Sequence, residues 1–213
     1  MTLRVDDLST VLDTDHGLVR AVEAVSLAIA AGETFALVGE SGCGKSIAAL
    51  SILRLLPDNG RVAAGAIYLG DTDIVPLPEQ RMRDLRGRRA SIIFQEPATS
   101  LNPVMRVGEQ IAEVIERHTP LKGAAARAKA IDWLARVGIP EPARRAADFP
   151  FQMSGGQKQR VMIAIALAAE PDLVIADEPT TALDVTIQKQ ILELLRDLQR
   201  ERRMALLLIT HDL

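Results

Sequence analysis

One segment of the sequence combines glycines, a lysine and a hydroxyl group at fixed spacing. Residues 39–46 read GESGCGKS and match the pattern G-x-x-x-x-G-K-[ST]. They follow an apolar run at 35–38 and precede a stretch of helical character at 47–56. A strand that turns sharply into a helix points backbone N–H groups and the positive helix end at one spot, which suits polyphosphate oxygens. The pattern therefore predicts that a nucleoside triphosphate is bound by Gly39, Glu40, Ser41, Gly42, Cys43, Gly44, Lys45 and Ser46.

Two side chains of this phosphate loop have distinct predicted tasks. Lys45 would reach the β and γ phosphates, and the Ser46 hydroxyl would occupy one coordination position of Mg²⁺, which prefers oxygen ligands. The alternative is a glycine-rich turn that binds nothing. The strand-like run before the loop and the helical stretch after it disfavour that alternative.

A pair of carboxylates follows a second apolar run. Residues 173–176 are wholly apolar and lead directly into Asp177 and Glu178. Asp177 is predicted to join the Mg²⁺ shell, directly or through water, and Glu178 to polarise or deprotonate an attacking water. The alternative is that the two carboxylates cap the next helix.

The bulk composition limits the classes of function. The chain has 213 residues, of which 48% are hydrophobic, so it can bury a large core as one domain. A formal charge of −3 gives no global field for nucleic acid. The single cysteine, Cys43, excludes a disulfide framework and a cysteine metal cage. The longest apolar run, 161–169, is too short to span a bilayer, so any membrane role would need a partner.

The remaining patterns predict an α/β fold. Short strand-like segments at 3–8, 24–29 and 66–69 indicate an N-terminal antiparallel β-subdomain. Four buried, apolar runs are expected to form a mostly parallel core sheet of the P-loop NTPase type, and they lie at 34–38, 91–94, 173–176 and 205–210. Residues 104–170 are predicted to form an inserted α-helical subdomain. Apolar residues from Ile187 to Leu198 mark the buried face of a further helix.

Two other features leave alternatives open. Ser154, Gly155, Gly156 and Gln157 precede a helical run and offer a second set of backbone donors, or simply start a helix that has no ligand. A run of arginines suggests nucleic acid, but an acidic residue interrupts it and no aromatic residues are interleaved, so we expect a solvated surface. The run consists of Arg81, Arg83, Arg86, Arg88 and Arg89.

In chain order, the motifs resemble the nucleotide-binding domain of ATP-binding cassette (ABC) proteins, with one domain spanning 1–213. The motifs are GESGCGKS, Gln95 after a strand, MSGGQ, VIADE, TALD at 181–184 and His211 after a strand. The resemblance implies that two domains join head to tail, with ATP and Mg²⁺ held between the phosphate loop of one and Ser154 to Gln157 of the other. It also implies that Gln95 senses Mg²⁺ and the attacking water, that Asp184 lines the dimer seam, and that His211 contacts the γ-phosphate.

The segments 94–103, 107–111 and 176–185 are similar to the dipeptide, oligopeptide and nickel import branch of this family. That likeness implies ATP hydrolysis at the cytoplasmic face of the membrane, two permease subunits as partners, and an external solute-binding protein that delivers substrate. A rival class is a soluble ABC ATPase that acts on nucleic acid or ribosomes. A non-catalytic regulatory module is a third possibility, which Glu178 and His211 together disfavour.

Three positions or segments depart from the family pattern. Leu12 stands where similar proteins place an aromatic residue that stacks on adenine, so base stacking is predicted to be weak. Phe151 and Met153 replace histidine and leucine, which we interpret as tolerated packing changes. The sequence stops two residues after His211, where a family domain would continue, so we expect the chain to be a fragment.

Overall fold

A computed structural model describes residues 1–180 and 183–211. Within these residues the chain forms eight strands and eight α-helices. The strands are β1 (Leu3–Thr14), β2 (Gly17–Ile29), β3 (Thr34–Val38), β4 (Gly60–Leu69), β5 (Thr72–Asp73), β6 (Ala90–Ile93), β7 (Leu173–Asp177) and β8 (Ala205–Thr210). The helices are α1 (Lys45–Ile52), α2 (Glu79–Leu85), α3 (Pro97–Ser100), α4 (Val107–His118), α5 (Gly123–Arg136), α6 (Pro142–Arg145), α7 (Gly155–Leu167) and α8 (Val185–Arg202).

The first sheet is antiparallel and has the strand order β2-β1-β4-β5. Its strands are longer than the predicted segments, because bulges break the alternation of apolar and polar residues. The register of β1 with β2 shifts between Val5 and Leu8 and again before Thr10, and Asp7 adopts a φ of 49°. Each shift changes which residues face the core, so a period-two pattern loses the strand at that point.

The second sheet is parallel and has the order β3-β8-β7-β6. All five residues of β7 are buried. Side chains of β7 alternate between two cores: Val174 and Ala176 contact one core, while Leu173 and Ile175 contact the other. Burial on both faces explains why the sequence of these strands is almost wholly apolar. The predicted core strands are therefore confirmed, with bounds that agree to within one residue.

Five α-helices, α3 to α7, lie between β6 and β7 in the chain. Of these, α4, α5 and α7 pack with α8 into one hydrophobic core on one face of the parallel sheet, around the fully buried Trp133 and Ile111. The other face is covered by α1 and the antiparallel sheet. The α-helical insertion expected within 104–170 is thus present, and the buried side chains of α8 include Ile191, Leu195 and Leu198, as predicted.

One residue of the arginine run is not a solvated surface residue. Only 17% of the Arg86 side chain is exposed. Its Nε donates to the carbonyl oxygen of Leu53 and its Nη2 to that of Arg54, each at 2.8 Å. Arg86 therefore ties the end of α2 to the end of α1, which the charge pattern alone could not show. Separately, among the described helices none is both long and apolar enough to cross a lipid bilayer.

The helical core predicts the effect of a matched pair of substitutions. Val161 on α7 is fully buried, whereas Val104 is 82% exposed. We expect Val161→Ala to lower the free energy of unfolding by about 2 kcal/mol, since two methyl groups and their packing contacts are lost. Val104→Ala should change it by less than about 0.5 kcal/mol. Urea denaturation measures both values, and equal effects would contradict the core assignment.

Candidate nucleotide-binding site

The phosphate loop joins β3 to α1. The helix begins at Lys45, two residues earlier than the helical stretch read from the sequence. Gly44 precedes it with a φ of 96°, and a Cβ at this position would lie 2.2 Å from the carbonyl oxygen of Ala21 on β2. Only glycine fits there. The role of Ala21 had no signal in the sequence, because it acts through its backbone.

Lys45 is directed back over the phosphate loop. The residue is 8% exposed, and its Nζ donates to the carbonyl oxygens of Gly39 and Glu40 at 2.7 Å each. The ammonium group is therefore held within the loop, beside the first turn of α1. That turn holds no acidic residue. Its N-cap residue is Gly44, and among the described residues no side chain caps the helix by accepting a hydrogen bond from its first N–H groups. A helix start of this kind favours an anion.

Asp177 and Ser46 meet across the site. The Ser46 Oγ donates to Asp177 Oδ1 at 3.1 Å, and Asp177 is 6% exposed. Burial raises the pKa of Asp177 above its ordinary value, and the neighbouring Glu178 carboxylate adds to that rise; the Ser46 hydrogen bond and the Lys45 charge oppose it. A cation bound here would stabilise the charged form of this carboxylate, which burial disfavours.

The oxygens of Ser46 and Asp177 are of the type that Mg²⁺ prefers. In the part of the chain that the structure describes, no group of three or more His, Cys, Asp or Glu side chains could hold a metal ion. A Mg²⁺ ion at Ser46 and Asp177 would therefore need further ligands from phosphate and water. This is the usual composition of a nucleotide-bound Mg²⁺ shell.

Glu178 is the centre of a polar cluster at the same edge of the sheet. Its Oε2 accepts a hydrogen bond from Gln95 Nε2 at 2.8 Å and lies 3.5 Å from His211 Nδ1. Glu178 adopts a left-handed φ of 45°, and its N–H donates to the carbonyl oxygen of Ile209 at 3.0 Å. A glutamate in this conformation carries a local backbone cost of about 1–3 kcal/mol.

The capping alternative for the two carboxylates is wrong. The N-cap of α8 is Asp184, whose side chain accepts a hydrogen bond from the Ile187 N–H at 3.0 Å. Asp177 and Glu178 therefore serve contacts other than a helix cap. Two residues of the predicted TALD segment, Thr181 and Ala182, lie outside the described residues.

The segment 154–157 starts α7 with a reciprocal capping box. The Ser154 Oγ accepts from the Gln157 N–H at 3.3 Å, and Gln157 Oε1 accepts from the Ser154 N–H at 3.0 Å. Gly155 and Gly156 lie beside Leu183 and Ile187 near the start of α8. Among the described residues, no hydrogen bond or ion pair joins this segment to the phosphate loop. Its predicted role with nucleotide stays a prediction.

Leu12 lies near the loop on the antiparallel sheet. Leu12 on β1 pairs with Val19 on β2. Two residues further along β2 is Ala21, whose carbonyl oxygen faces Gly44 of the phosphate loop. Leu12 is half-buried, and its Cδ2 would lie 2.9 Å from a Cβ at Gly60. The side chain is therefore partly engaged in packing against β4, and 47% of Val19 is exposed beside it.

Comparison with known proteins gives one family. The family model described as "ABC transporter" matches residues 22–181. The chain is 49% identical over 212 residues to the dipeptide transport ATP-binding protein DppD of Bacillus subtilis, covering 99% of this chain and 63% of the relative. It is 50% identical to the oligopeptide transport ATP-binding protein OppD of the same organism, covering 59% of that relative. The chain thus spans about three fifths of the length of these relatives.

Solved structures agree with the sequence comparison. A dimeric post-hydrolysis structure of the ATP-binding cassette MJ0796 bound to ADP and Pi superposes with a TM-score of 0.88 at 28% identity, over 99% of this chain and 88% of that one. The parallel sheet, the phosphate loop and the acidic end of β7 define a P-loop NTPase domain. The chain belongs to the ABC transporter family. Both the predicted family and its likeness to the peptide-import branch are confirmed.

The buried Asp177 predicts a pH-dependent effect on stability. Its raised pKa means that the folded protein binds this proton more tightly than the unfolded chain, so stability falls as the pH rises above the ordinary pKa. Without nucleotide or Mg²⁺, Asp177→Asn should therefore raise Tm at about pH 7, and the gain should shrink toward about pH 4. The substitution keeps an oxygen for Ser46.

Differential scanning calorimetry at the two pH values makes this comparison. Asp58→Asn is the matched control, because Asp58 is exposed and the same charge is removed. A lower Tm for Asp177→Asn near neutral pH would show that the carboxylate stabilises the fold, contrary to the burial argument.

Proposed function

We propose that this chain is the ATP-binding and ATP-hydrolysing part of an ABC importer subunit that powers the uptake of peptides or related small solutes. The observation that carries the proposal is the placement of Gln95 and His211 around Glu178. These side chains follow β6, β8 and β7, which are neighbours in the parallel sheet. The pair formed by Ser46 and Asp177 lies next to Glu178, at the same carboxyl edge.

The proposed chemistry divides between binding and activation. Backbone N–H groups of residues 39–46 and the Lys45 ammonium hold the phosphates. Mg²⁺, held at Ser46 and Asp177 with Gln95 nearby, would neutralise charge on the phosphate oxygens. Glu178 orients and deprotonates the attacking water, and such general-base action contributes about 10²–10⁴-fold. His211 contacts the γ-phosphate and keeps Glu178 aligned with it.

A second copy, or a related cassette, completes each nucleotide site in this proposal. The segment 154–157 presents the start of α7, which is suited to an anion, yet among the described residues it makes no bond to its own phosphate loop. In a head-to-tail dimer it would face the phosphates bound by the partner, and Asp184 would line the seam. The MJ0796 cassette, which was solved as a dimer bound to ADP and Pi, supports this arrangement.

The transport role is supported by the relatives. DppD and OppD are named for dipeptide and oligopeptide transport. We therefore place the subunit at the cytoplasmic face of the membrane, with permease subunits as direct partners and a solute-binding protein as an indirect one. Substrate identity would reside in those partners. The nucleic-acid rival has no support, because these relatives carry transport names and the chain has a formal charge of −3.

The test is the rate of ATP hydrolysis by the full-length protein with its co-expressed permeases in lipid. Glu178→Gln should lower kcat by about 10²-fold or more while the Kd for ATP changes by less than about twofold, because only the base is removed. Glu193→Gln on the exposed face of α8 is the matched control and should retain full turnover. Unchanged turnover in Glu178→Gln would overturn the assignment of the base.

A further inference from the structure

A second cleft lies between α2 and the end of α4. It has a volume of about 490 Å³ and shares no lining residue with the nucleotide site. Its lining includes three residues of the arginine run, Arg81, Arg88 and Arg89. The full set is Thr72, Leu77, Arg81, Asp84, Leu85, Arg88, Arg89, Arg117 and His118.

The charge of this cleft is positive and partly uncompensated. Four arginines line it against one carboxylate, that of Asp84. Arg117 pairs with Asp84 at 3.2 Å, and Arg89 pairs with Asp172 outside the cleft. Arg81 and Arg88 form no ion pair with any residue that the structure describes. Two guanidinium groups therefore face the cleft with their charge available.

The backbone that carries Arg88 is held in place. Two residues before Arg88, the Arg86 side chain is bound to two carbonyl oxygens at the end of α1, as described above. Gly87 turns the chain with a φ of 84°, and its N–H donates to the Ala90 carbonyl oxygen at 2.8 Å. The Arg89 N–H donates to the Leu85 carbonyl oxygen at 2.7 Å. A fixed turn lowers the ordering cost of binding, since the backbone does not need to rearrange.

His118 lines the cleft beside this turn and is in contact with it. A Cβ at Gly87 would lie 2.7 Å from His118 Nε2, so the imidazole packs directly over the glycine. Burial lowers the pKa of His118, and the charges of Arg117 and Arg88 lower it further, while Asp84 opposes them. The ring is therefore neutral at neutral pH and can donate one hydrogen bond. An anion bound beside it would favour the protonated ring.

Two effects oppose an anion here: the Asp84 carboxylate, whose charge is already paired with Arg117, and the end of α4. The carboxyl end of α4 carries about half a negative charge. Part of it is already satisfied, because Thr119 Oγ1 donates to the Ile115 carbonyl oxygen at 2.8 Å and Lys122 Nζ binds that of Glu116. The two guanidinium groups of Arg81 and Arg88 outweigh the remainder.

We propose that this cleft binds a phosphate-bearing anion between Arg81, Arg88 and His118. Guanidinium groups match phosphate oxygens in a bidentate manner. The other lining residues, Thr72, Leu77 and Leu85, offer no aromatic surface for a base, so the phosphate group itself is what is recognised. Free polyphosphate and the headgroup of an anionic lipid share this chemistry.

The first test uses inorganic pyrophosphate and the NMR signals of the three histidines in the chain. Because His118 lies in the cleft and His211 at the nucleotide site, ring signals separate the two sites, and His118→Gln assigns the resonance. We expect a saturable shift of the His118 signal, and a rise of its pKa when pyrophosphate binds. Arg81→Gln with Arg88→Gln should weaken this response at least about tenfold.

The control is Arg127→Gln with Arg196→Gln, which removes two exposed arginines elsewhere and should leave the His118 response unchanged. A second arm measures co-sedimentation with vesicles of phosphatidylcholine alone or mixed with phosphatidylglycerol. Binding of the mixed vesicles alone, lost in the Arg81 and Arg88 variant, would identify a lipid headgroup as the source. Absence of binding in both arms, or equal binding by both double variants, would overturn the proposal.

Discussion

The parallel hydrogen-bonding ladder β3-β8-β7-β6 is the constraint on which the site depends. Parallel strands end at the same edge, so the residues that follow them are brought together although they are far apart in sequence. Ser46 and Asp177 are separated by 131 positions and hydrogen-bond to each other, and Gln95 and Glu178 are separated by 83. Because β7 is buried on both faces, it holds Asp177, its last residue, in a fixed position next to the phosphate loop, and Glu178 follows directly.

Two residues of the site are in energetically unfavourable states, each for a physical reason. Asp177 is a buried carboxylate whose pKa is raised, and Glu178 holds a left-handed backbone conformation. Both are unfavourable in the nucleotide-free protein, and the surrounding sheet and two hydrophobic cores sustain them. Binding energy from a cation and phosphate would offset the cost at Asp177. In this conformation the Glu178 carboxylate contacts Gln95 and His211.

Much of this arrangement could be predicted from local sequence signals. The phosphate loop carries a strong pattern. The core sheet was predictable from four short apolar runs, and the helical insertion from the helical pattern within 104–170. Bulges at Asp7 and Leu8 hid the full length of β1, because they break its alternation. The contact of Ala21 with Gly44 involves a backbone carbonyl, and Arg86 gains its structural role only through carbonyls of another helix; neither contact leaves a residue pattern. The role proposed for segment 154–157 depends on a second copy, so a single chain does not display it.

The central claim is that one sheet edge supplies half of a nucleotide site and that residues 154–157 of a second copy supply the other half. Light scattering of the Glu178→Gln chain with ATP tests it most directly, because slow hydrolysis should preserve the closed state. We expect twice the monomer mass of 23.1 kDa with ATP, the monomer mass with ADP, and loss of the dimer when Ser154→Arg is added. A monomer that nevertheless binds ATP stoichiometrically would contradict the claim.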